Sequence, residues 1–330
     1  MLRERNTNDK NTELNEEKLS LLVDVAELYY KQEMSQEEIA QRLHISRSNV
    51  SRMLAKAKEE GVVEIKINYF NTRSFQLEEE IKHKFGVKEV FVYNTGNISS
   101  DSVLDMLTKR AAEYISANLK PHMSIGVTRG SVFAKVLGWL KTDVPRKLDL
   151  KLVQLTGAEA LSNPEKDSGD LIRGMLQLYG GTAYYLNAPL YVDNEIVKNA
   201  LEQETSVRET MNMASKCDVI ITGIGYLSKG MDLMNSVWDQ YLSEADVEEL
   251  VEAGAVGHLF FHIYDKDGKL LDHPINSRVV GVSTNAIKDA SVVAVSCGKF
   301  KSQAVLGALR QNIIKVLFID RDSAEAVLYS

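Results

Sequence analysis

The residues best suited to chemistry lie between Ser46 and Lys58, in a predicted helix with four cations and no carboxylate. The whole chain has a net charge of −7, so this positive charge is local. A basic helix on an acidic protein is typical of a polyanion contact. In the major groove arginine reads guanine and asparagine reads adenine, and Arg47, Asn49 and Arg52 supply these side chains. We predict double-stranded operator DNA as a partner, with its phosphates near Gln36, Ser46, Ser48, Ser51 and Lys56.

The flanking residues predict the elements that hold this helix. Ser35 and Glu38 have the spacing of a reciprocal capping box, so a short helix begins at Gln36. His44-Ile45 is then a turn, and Ser46 is a good N-cap for the second helix. The apolar positions of that helix fall on one side, which is the pattern of a helix-turn-helix: Val50, Met53, Leu54 and Ala57. An ordinary helical hairpin with a solvated charged face is the alternative, and the absence of acids from the second helix argues against it.

The surrounding segments extend this unit to residues 16–70. Residues 19–29 have helical apolar spacing and predict a supporting first helix. Gly61 predicts a helix end, and the alternation from Val62 to Ile67 predicts a strand, the wing of a winged helix, in which Lys66 can reach a phosphate. Residues 1–15 are polar and predict a disordered arm.

Length and composition bound the remainder of the chain. With 330 residues, the chain leaves residues 71–330 for a large second domain. Neither a membrane-spanning run nor a signal peptide is visible, so we expect a cytoplasmic protein with no membrane partner. Cys217 and Cys297 lie in apolar segments and are expected to be buried thiols. Because no metal-ligand spacing or cofactor motif is present, we expect neither a metal nor a cofactor.

Residues 71–330 alternate between strand-like and helix-like segments, which predicts an α/β domain with a mainly parallel sheet. Strands are predicted over Lys88–Tyr93, Met123–Val127, Leu150–Leu155, Ala183–Leu186, Asp218–Thr222, His258–Tyr264, Val292–Ser296 and Val316–Ile319. Helices are predicted over Phe75–Phe85, Asp101–Leu119, Val132–Lys141, Asp170–Tyr179, Glu244–Glu252, Ser302–Gln311 and Ser323–Leu328. In such sheets ligands bind beyond the carboxyl ends of the strands.

Four small-residue loops lie at those strand ends: Ile125–Ser131, Gln154–Ala158, Thr222–Gly225 and Ser296–Ser302. They offer backbone N–H groups, hydroxyls and cations, which suit an anion at a helix N-terminus. Glycine at a strand–helix junction is often geometry alone, but four such loops favour a phosphorylated small-molecule site. Neither a GxxxxGK[ST] nor a GxGxxG motif is present. The loops nominate as ligand-binding residues Gly126, Thr128, Arg129, Gly130, Ser131, Gln154, Thr156, Gly157, Gly223 and Gly225.

The chain resembles the SorC family of sugar-responsive bacterial regulators, most closely those of sorbitol operons. The resemblance covers nearly the whole chain. It is carried by Tyr29-Tyr30, Met34-Ser35-Gln36, Ile39-Ala40, Leu43, Ile45-Ser46-Arg47, Val50–Leu54, Ala188-Pro189-Leu190, Gly254–Gly257, Phe261, Asp265, Gly268, Ile275-Asn276 and Arg278.

The resemblance implies a winged helix-turn-helix joined to a Rossmann-like effector domain similar to sugar-phosphate isomerases. It implies a homo-oligomer, a tetramer, that responds to a phosphorylated sugar or polyol. It adds four ligand-binding candidates, His258, Asn276, Arg278 and Lys301.

Three positions depart from the family pattern. Arg129 is expected to supply a cation that the family places two residues later. His258 stands where the family usually has Asp, so the bound sugar or its charge is expected to differ. Thr156 stands where one branch has a lysine, which argues against a Schiff base with an aldehyde.

Purely structural roles remain open for the four candidates that the resemblance adds. His258 is more commonly a core histidine, Lys301 is also consistent with a solvated helix start, and Asn276 and Arg278 with residues that brace a loop. Asp265–Gly268 superficially resembles a calcium loop, but Asp-Gly between apolar runs favours a hairpin turn. We predict a transcriptional regulator of a carbohydrate-utilisation operon and not an enzyme. The alternatives are a sugar-phosphate isomerase or deaminase with a fused DNA-binding domain, and a sensor of a phosphorylated signalling molecule.

Overall fold

The fold is described from a computed structural model, which places residues 19–63, 72–96, 98–141, 146–159, 166–231, 233, 238 and 240–330. The chain divides into two compact units, Met1–Asn68 and Tyr69–Ser330. The predicted arm, most of the predicted wing and the predicted domain boundary at residue 70 lie outside the described residues.

The first unit is a helix-turn-helix. Its helices are α1 (19–30), α2 (Gln36–Leu43) and α3 (Arg47–Glu59). The predicted capping box is present, because the Ser35 side chain accepts from the Glu38 N–H and the Glu38 carboxylate accepts from the Ser35 N–H. His44 adopts the left-handed conformation that ends α2. A small apolar core joins the three helices, and it contains Val25, Leu28, Ile39, Ala40, Val50 and Leu54.

The second unit is built on a seven-stranded, fully parallel sheet of order β1-β10-β9-β5-β2-β3-β4. The predicted α/β class is therefore confirmed. The strands are β1 (Glu89–Tyr93), β2 (Ser124–Val127), β3 (Leu150–Gln154), β4 (Gly181–Tyr184), β5 (Val219–Gly223), β9 (Ser291–Ser296) and β10 (Ile314–Asp320). A three-stranded sheet adds β6 (Gly225–Tyr226), β7 (Ala255–Leu259) and β8 (His262–Asp265).

Helices cover both faces of the large sheet. Val292 and Ala294 belong to one apolar cluster, while Val293 and Val295 belong to another, as the alternation of a strand requires. The helices are α4 (Phe75–Phe85), α5 (Ser100–Asn118), α6 (Ser131–Leu140), α7 (Ser168–Tyr179), α8 (Glu195–Gln203), α9 (Thr205–Ala214), α10 (Glu244–Glu252), α11 (Pro274–Ser277), α12 (Ser302–Arg310) and α13 (Arg321–Leu328). In the described part of the chain, no helix has the length and apolar character needed to span a membrane.

The predicted strand His258–Tyr264 is wrong. It is a hairpin, in which β7 and β8 are joined by Phe260 and Phe261, both at positive φ. The continuous apolar run hides this turn, because neither position carries the glycine or asparagine that usually marks it. The predicted turn at Asp265–Gly268 is present, and the Asp265 carboxylate accepts from the Asp267 and Lys269 N–H groups. The helices α8 and α9 were not predicted.

Candidate DNA-binding surface and ligand pocket

The predicted DNA contacts lie on the exposed side of the helix-turn-helix. The buried side of α3 carries Val50, Leu54 and Ala57. Gln36, at the start of α2, is half-buried. The exposed residues are Ser46, Arg47, Ser48, Asn49, Ser51, Arg52 and Lys56. The N-terminal half of α3 therefore presents hydroxyls, an amide and two guanidinium groups on one surface.

Two internal contacts order this surface. The Ser46 hydroxyl accepts from the Asn49 N–H at 3.3 Å, which caps α3. The Arg52 guanidinium donates to the Asn49 side-chain oxygen at 2.5 Å, so the two candidate base-reading side chains orient one another. Arg47 lies 3.8 Å from Glu37, but both side chains are about two-thirds exposed. Because such a pair contributes little free energy, Arg47 is available to a ligand.

A cavity of about 190 Å³ lies beyond the carboxyl ends of β2 and β5. The hairpin β7–β8 and the helical turn before α12 complete its walls. It brings together eight of the predicted ligand-binding residues: Thr128, Arg129, Gly130, Ser131, Gly223, Gly225, His258 and Lys301. We call it the anion cavity, because of the two features described next.

The first feature is the N-terminus of α6. Gly130 precedes the helix at φ +134°, a conformation that side chains rarely adopt, and no side chain caps the helix. Ser131, Val132 and Phe133, which form the first turn, all line the cavity. First-turn N–H groups have no acceptor within their own helix and carry the positive end of its dipole. This helix start is therefore suited to bind an anion.

The second feature is Lys301. Its ammonium group lies 5.7 Å from the ring centre of Tyr226 and 5.9 Å from that of Phe300. Across the described segments no carboxylate forms an ion pair with it, and burial lowers its pKa. A partly buried cation without a counter-charge is costly, and an anionic ligand in the cavity would relieve that cost.

His258 contributes a neutral imidazole to the same cavity. Burial, with Lys301 and Arg129 nearby, lowers the pKa of His258 to about 3. Within the part of the chain that the structure describes, its Nδ1 atom has no hydrogen-bond partner, and its ring packs edge-on against Trp238 with 4.8 Å between centres. Its Nε2 atom lies where a side chain at Gly225 would be, so Gly225 makes room for the ring. Depending on the tautomer, the Nδ1 atom of the neutral imidazole can donate a hydrogen bond to a ligand hydroxyl or accept one from it.

The turn between β7 and β8 adds the apolar part of the wall. Phe260 and Phe261 hold φ values of +50° and +68°, at a cost of about 1 kcal/mol or more each. The Tyr191 hydroxyl donates to the Phe261 carbonyl at 3.1 Å and holds the turn in place. Strain of this kind persists where the surroundings fix it, and it clusters at functional sites.

Comparison with known proteins agrees with both units. A family model with the description "Putative sugar-binding domain" matches residues 70–329, and the model of sigma-70, region 4, matches residues 24–59. The chain belongs to the SorC family of regulators. The sorbitol operon regulator of Klebsiella pneumoniae is 24% identical over 95% of this chain and 99% of its own length. The deoxyribonucleoside regulator of Bacillus subtilis (strain 168) is 26% identical over 96% and 99%.

A solved structure extends the likeness to the fold of the whole chain. The full-length sorbitol operon regulator SorC from Klebsiella pneumoniae superposes with a TM-score of 0.68 at 25% identity. The match covers 94% of this chain and 99% of that one.

In this member of the SorC family, four predicted ligand residues lie at the sheet but not in the anion cavity. Gly126 lies within β2, where an added Cβ would come 2.7 Å from Ile220, so the glycine allows close packing. Gln154 donates to the Thr156 carbonyl at 2.8 Å. Thr156 is buried, and Gly157 lies against the Pro189 backbone. The conformations of Gln154, Thr156 and Gly157 are therefore set by contacts within the protein.

Asn276 and Arg278 are not among the residues that line the anion cavity. The Asn276 amide bonds both the N–H and the carbonyl of Ile263, and it donates to the Leu271 carbonyl. The Arg278 Nε donates to the Val192 carbonyl at 2.6 Å. Both side chains brace neighbouring loops, the alternative left open by the sequence.

Glu159 is a candidate that the sequence analysis missed. It follows Thr156-Gly157-Ala158 after β3, and its carboxylate lies 2.9 Å from the Arg129 guanidinium. Its side chain is only 2% exposed. Burial, opposed by Arg129, raises the pKa of Glu159 to about 7. The available signal was a single carboxylate in a small-residue loop, but its partner Arg129 is thirty positions away and their contact is invisible in sequence.

Proposed function

We propose that the protein is a DNA-binding transcriptional regulator of a carbohydrate-utilisation operon, controlled by a phosphorylated sugar or polyol. The observation that supports a phosphorylated effector is the anion cavity, where an uncapped helix start meets Lys301, which has no ion-pair partner in the described ranges. A phosphate monoester supplies the charge and the acceptor oxygens that both features require. His258 and Thr128 would then face the hydroxyl-bearing part of the ligand.

The helix-turn-helix would provide the operator contacts. Arg47, Asn49 and Arg52 would approach base edges, while Gln36, Ser46, Ser48, Ser51 and Lys56 would lie nearer to phosphates. The relatives described as regulators of a sorbitol operon and of deoxyribonucleosides support a carbohydrate-linked effector. Such a regulator would act in the cytoplasm.

Ligand binding would control DNA affinity through subunit pairing. In a homo-oligomer, proposed here as a tetramer, the spacing of the DNA-binding helices depends on how the effector domains associate. An effector can shift that arrangement only by the difference between its affinities for the two states. Residues 71–330 would thus serve both effector binding and oligomerisation.

The test is binding to the DNA upstream of the protein's own operon, measured with a panel of sugar and polyol phosphates and their free sugars. The proposal expects a phosphate ester to change promoter affinity and its free sugar to leave it unchanged. A response to the free sugar would overturn the phosphate assignment. Response only to a phosphorylated signalling molecule would overturn the operon assignment, and turnover of ketose or amino-sugar phosphates would favour the fused-enzyme alternative.

A further inference from the structure

A second cavity, of about 610 Å³, lies beyond the carboxyl ends of β3 and β4. Its polar lining includes Gln154, Glu159, Asp167, Arg173 and Asn187. We call it the acceptor cavity, because its lining includes the buried carboxylate of Glu159. It is distinct from the anion cavity, although a predicted ligand residue, Gln154, lies in its wall.

Glu159 has an unusual environment for a buried carboxylate. Among the residues that the structure places, Arg129 is the one donor group near its oxygens, and the Nε of Arg129 has no hydrogen-bond partner there. The two groups are held by proximity of charge, with 2.9 Å between the nearest atoms. Leaving buried acceptors without donors costs free energy that a ligand's donors would recover.

The Arg73–Glu78 pair in the same unit shows how a buried carboxylate is ordinarily satisfied by hydrogen-bond donors. Its carboxylate is equally buried, with 1% of the side chain exposed. It accepts from Arg73 Nε at 2.8 Å and Nη2 at 2.6 Å, and from the Val92 N–H at 3.0 Å. All of these partners are internal, so this pair has a structural role. Glu159 lacks the equivalent donors.

The position of the Arg129–Glu159 pair indicates where such donors come from. Arg129 lines the anion cavity and Glu159 lines the acceptor cavity, so their ion pair links the linings of the two cavities. An anion that binds in the first cavity draws on the charge of Arg129. Glu159 then loses the counter-charge that Arg129 supplies and needs hydrogen-bond donors.

We propose that Glu159 determines effector specificity by accepting hydrogen bonds from hydroxyl groups of the same molecule whose phosphate binds Arg129 and Lys301. This inference rests on the proposed function and extends it to the non-phosphate end of the effector. A bare anion must compete with Glu159 for Arg129, whereas a polyhydroxy phosphate compensates both partners. The protein therefore selects polyol or sugar phosphates over inorganic phosphate.

The charged groups around Glu159 set the pH behaviour of this selection. Arg129 favours its ionised form, whereas Asp167 disfavours it, and Tyr191 is close enough to interact with it electrostatically. Since burial already raises the pKa of Glu159 to about 7, loss of Arg129 to inorganic phosphate raises it further. Inorganic phosphate is then bound with proton uptake near pH 7, and a hydroxyl-bearing phosphate with less.

The test compares Glu159→Gln with wild type in titrations of the full chain with inorganic phosphate and a hexitol phosphate. The substitution keeps the side-chain volume and frees Arg129. We expect inorganic phosphate to bind about tenfold more tightly to the variant, and the preference for the hexitol phosphate to fall by at least the same factor. In buffers of different ionisation enthalpy, the variant should take up fewer protons than wild type, because the ionisation of phosphate is common to both and that of Glu159 is not.

Glu78→Gln is the matched control, because it neutralises the other buried arginine–glutamate pair. It should lower the melting temperature but leave the phosphate preference unchanged. An unchanged preference in Glu159→Gln, with wild-type proton uptake, would overturn the inference while leaving the proposed function intact. If wild type binds neither phosphate, the proposed function itself fails. Tighter binding of an amino-sugar phosphate than of the matching sugar phosphate would overturn the hydroxyl assignment.

Discussion

The N-termini of α3 and α6 both lie beside cations, and they are built in opposite ways. The start of α3 is capped by the Ser46 side chain, and its cations are exposed. The start of α6 has no side-chain cap, and the cations beside it, Arg129 and Lys301, are largely buried. Exposed cations suit a long polyanion that is read along its surface, whereas buried ones require a small anion that enters a cavity.

The difference lies in where the first-turn N–H groups find their acceptors. In α3 one of them is satisfied within the chain, so the helix is stable without a ligand. In α6 the first-turn N–H groups face the cavity without a side-chain acceptor, which costs free energy that a bound anion would recover. In our proposal the capped, exposed start of α3 binds DNA through side chains, and the uncapped start of α6 binds an anion through the backbone.

The largest expected effect is the loss of promoter binding when the exposed N-terminal part of α3 is changed. Arg52→Ala should remove a base contact. It should also free the Asn49 side chain, whose oxygen accepts a hydrogen bond from Arg52. A lost bidentate base contact costs about 1–3 kcal/mol. Since each subunit of an oligomer carries the change, we expect promoter binding to be lost in fluorescence anisotropy at fixed salt.

Ligand binding by Arg52→Ala should match wild type, because the anion cavity lies in the other unit. Lys31→Ala is the control, since it also removes one exposed cation from the first unit but not from α3. Simultaneous loss of DNA binding and ligand binding would contradict the separation of the two surfaces.

The next largest effect is on ligand affinity at the N-terminus of α6. Lys301→Ala should weaken phosphorylated ligands by about 10- to 100-fold, because a charge-assisted hydrogen bond contributes about 1.5–3 kcal/mol. Calorimetric titration of a phosphate ester and its free sugar gives the comparison. Lys299→Ala, an exposed lysine of the same helical turn, should change neither affinity. Equal weakening of ester and free sugar would remove Lys301 from the phosphate site.

A smaller effect is expected in the pH dependence of stability. The pKa of His258 is lowered to about 3 in the fold, so the unfolded chain binds the proton more readily. Stability from this residue is present above its unfolded pKa of about 6.5 and is lost as the pH falls, by about 2 kcal/mol at pH 5. His258→Phe should remove that loss. Thermal unfolding of both proteins between pH 5 and 7.5 measures it, and parallel curves would show that His258 is protonated in the fold.

The smallest effect tests the caps themselves. Ser46→Ala should destabilise the helix-turn-helix by about 1 kcal/mol, since it removes the cap of α3. Ser131→Ala removes a serine from the first turn of α6 but no cap, and should leave the stability of the α/β unit unchanged. Chemical denaturation of each variant provides the values. A similar loss at both positions would erase the distinction between the two helix starts.

The sequence was most informative where the determinants are local. Ser35, Glu38, Ser46 and Gly61 set helix ends through contacts within a few residues, and the structure confirms each of them. The loops of the anion cavity were also foreseeable, because parallel strands bring their carboxyl ends to one edge of the sheet. Thr128–Ser131 and Gly223–Gly225 consequently meet although they are far apart in the chain.

The remainder depends on contacts that no local pattern records. The turn at Phe260-Phe261 is held by Tyr191 and surrounding aromatic rings, against the conformational preference of both residues. Asn276 was nominated through resemblance, but three hydrogen bonds to nearby backbone groups occupy its amide. Glu159 became visible only when its partner and its missing hydrogen bonds could be seen together.

The most direct test of the account is a crystal structure of the full chain with the phosphate ester that changes its promoter affinity. The account predicts phosphate density between the first-turn N–H groups of α6 and the Lys301 ammonium, with the ester's hydroxyl groups directed toward His258 or Glu159. A phosphate bound outside the anion cavity, with the start of α6 unchanged, would contradict it.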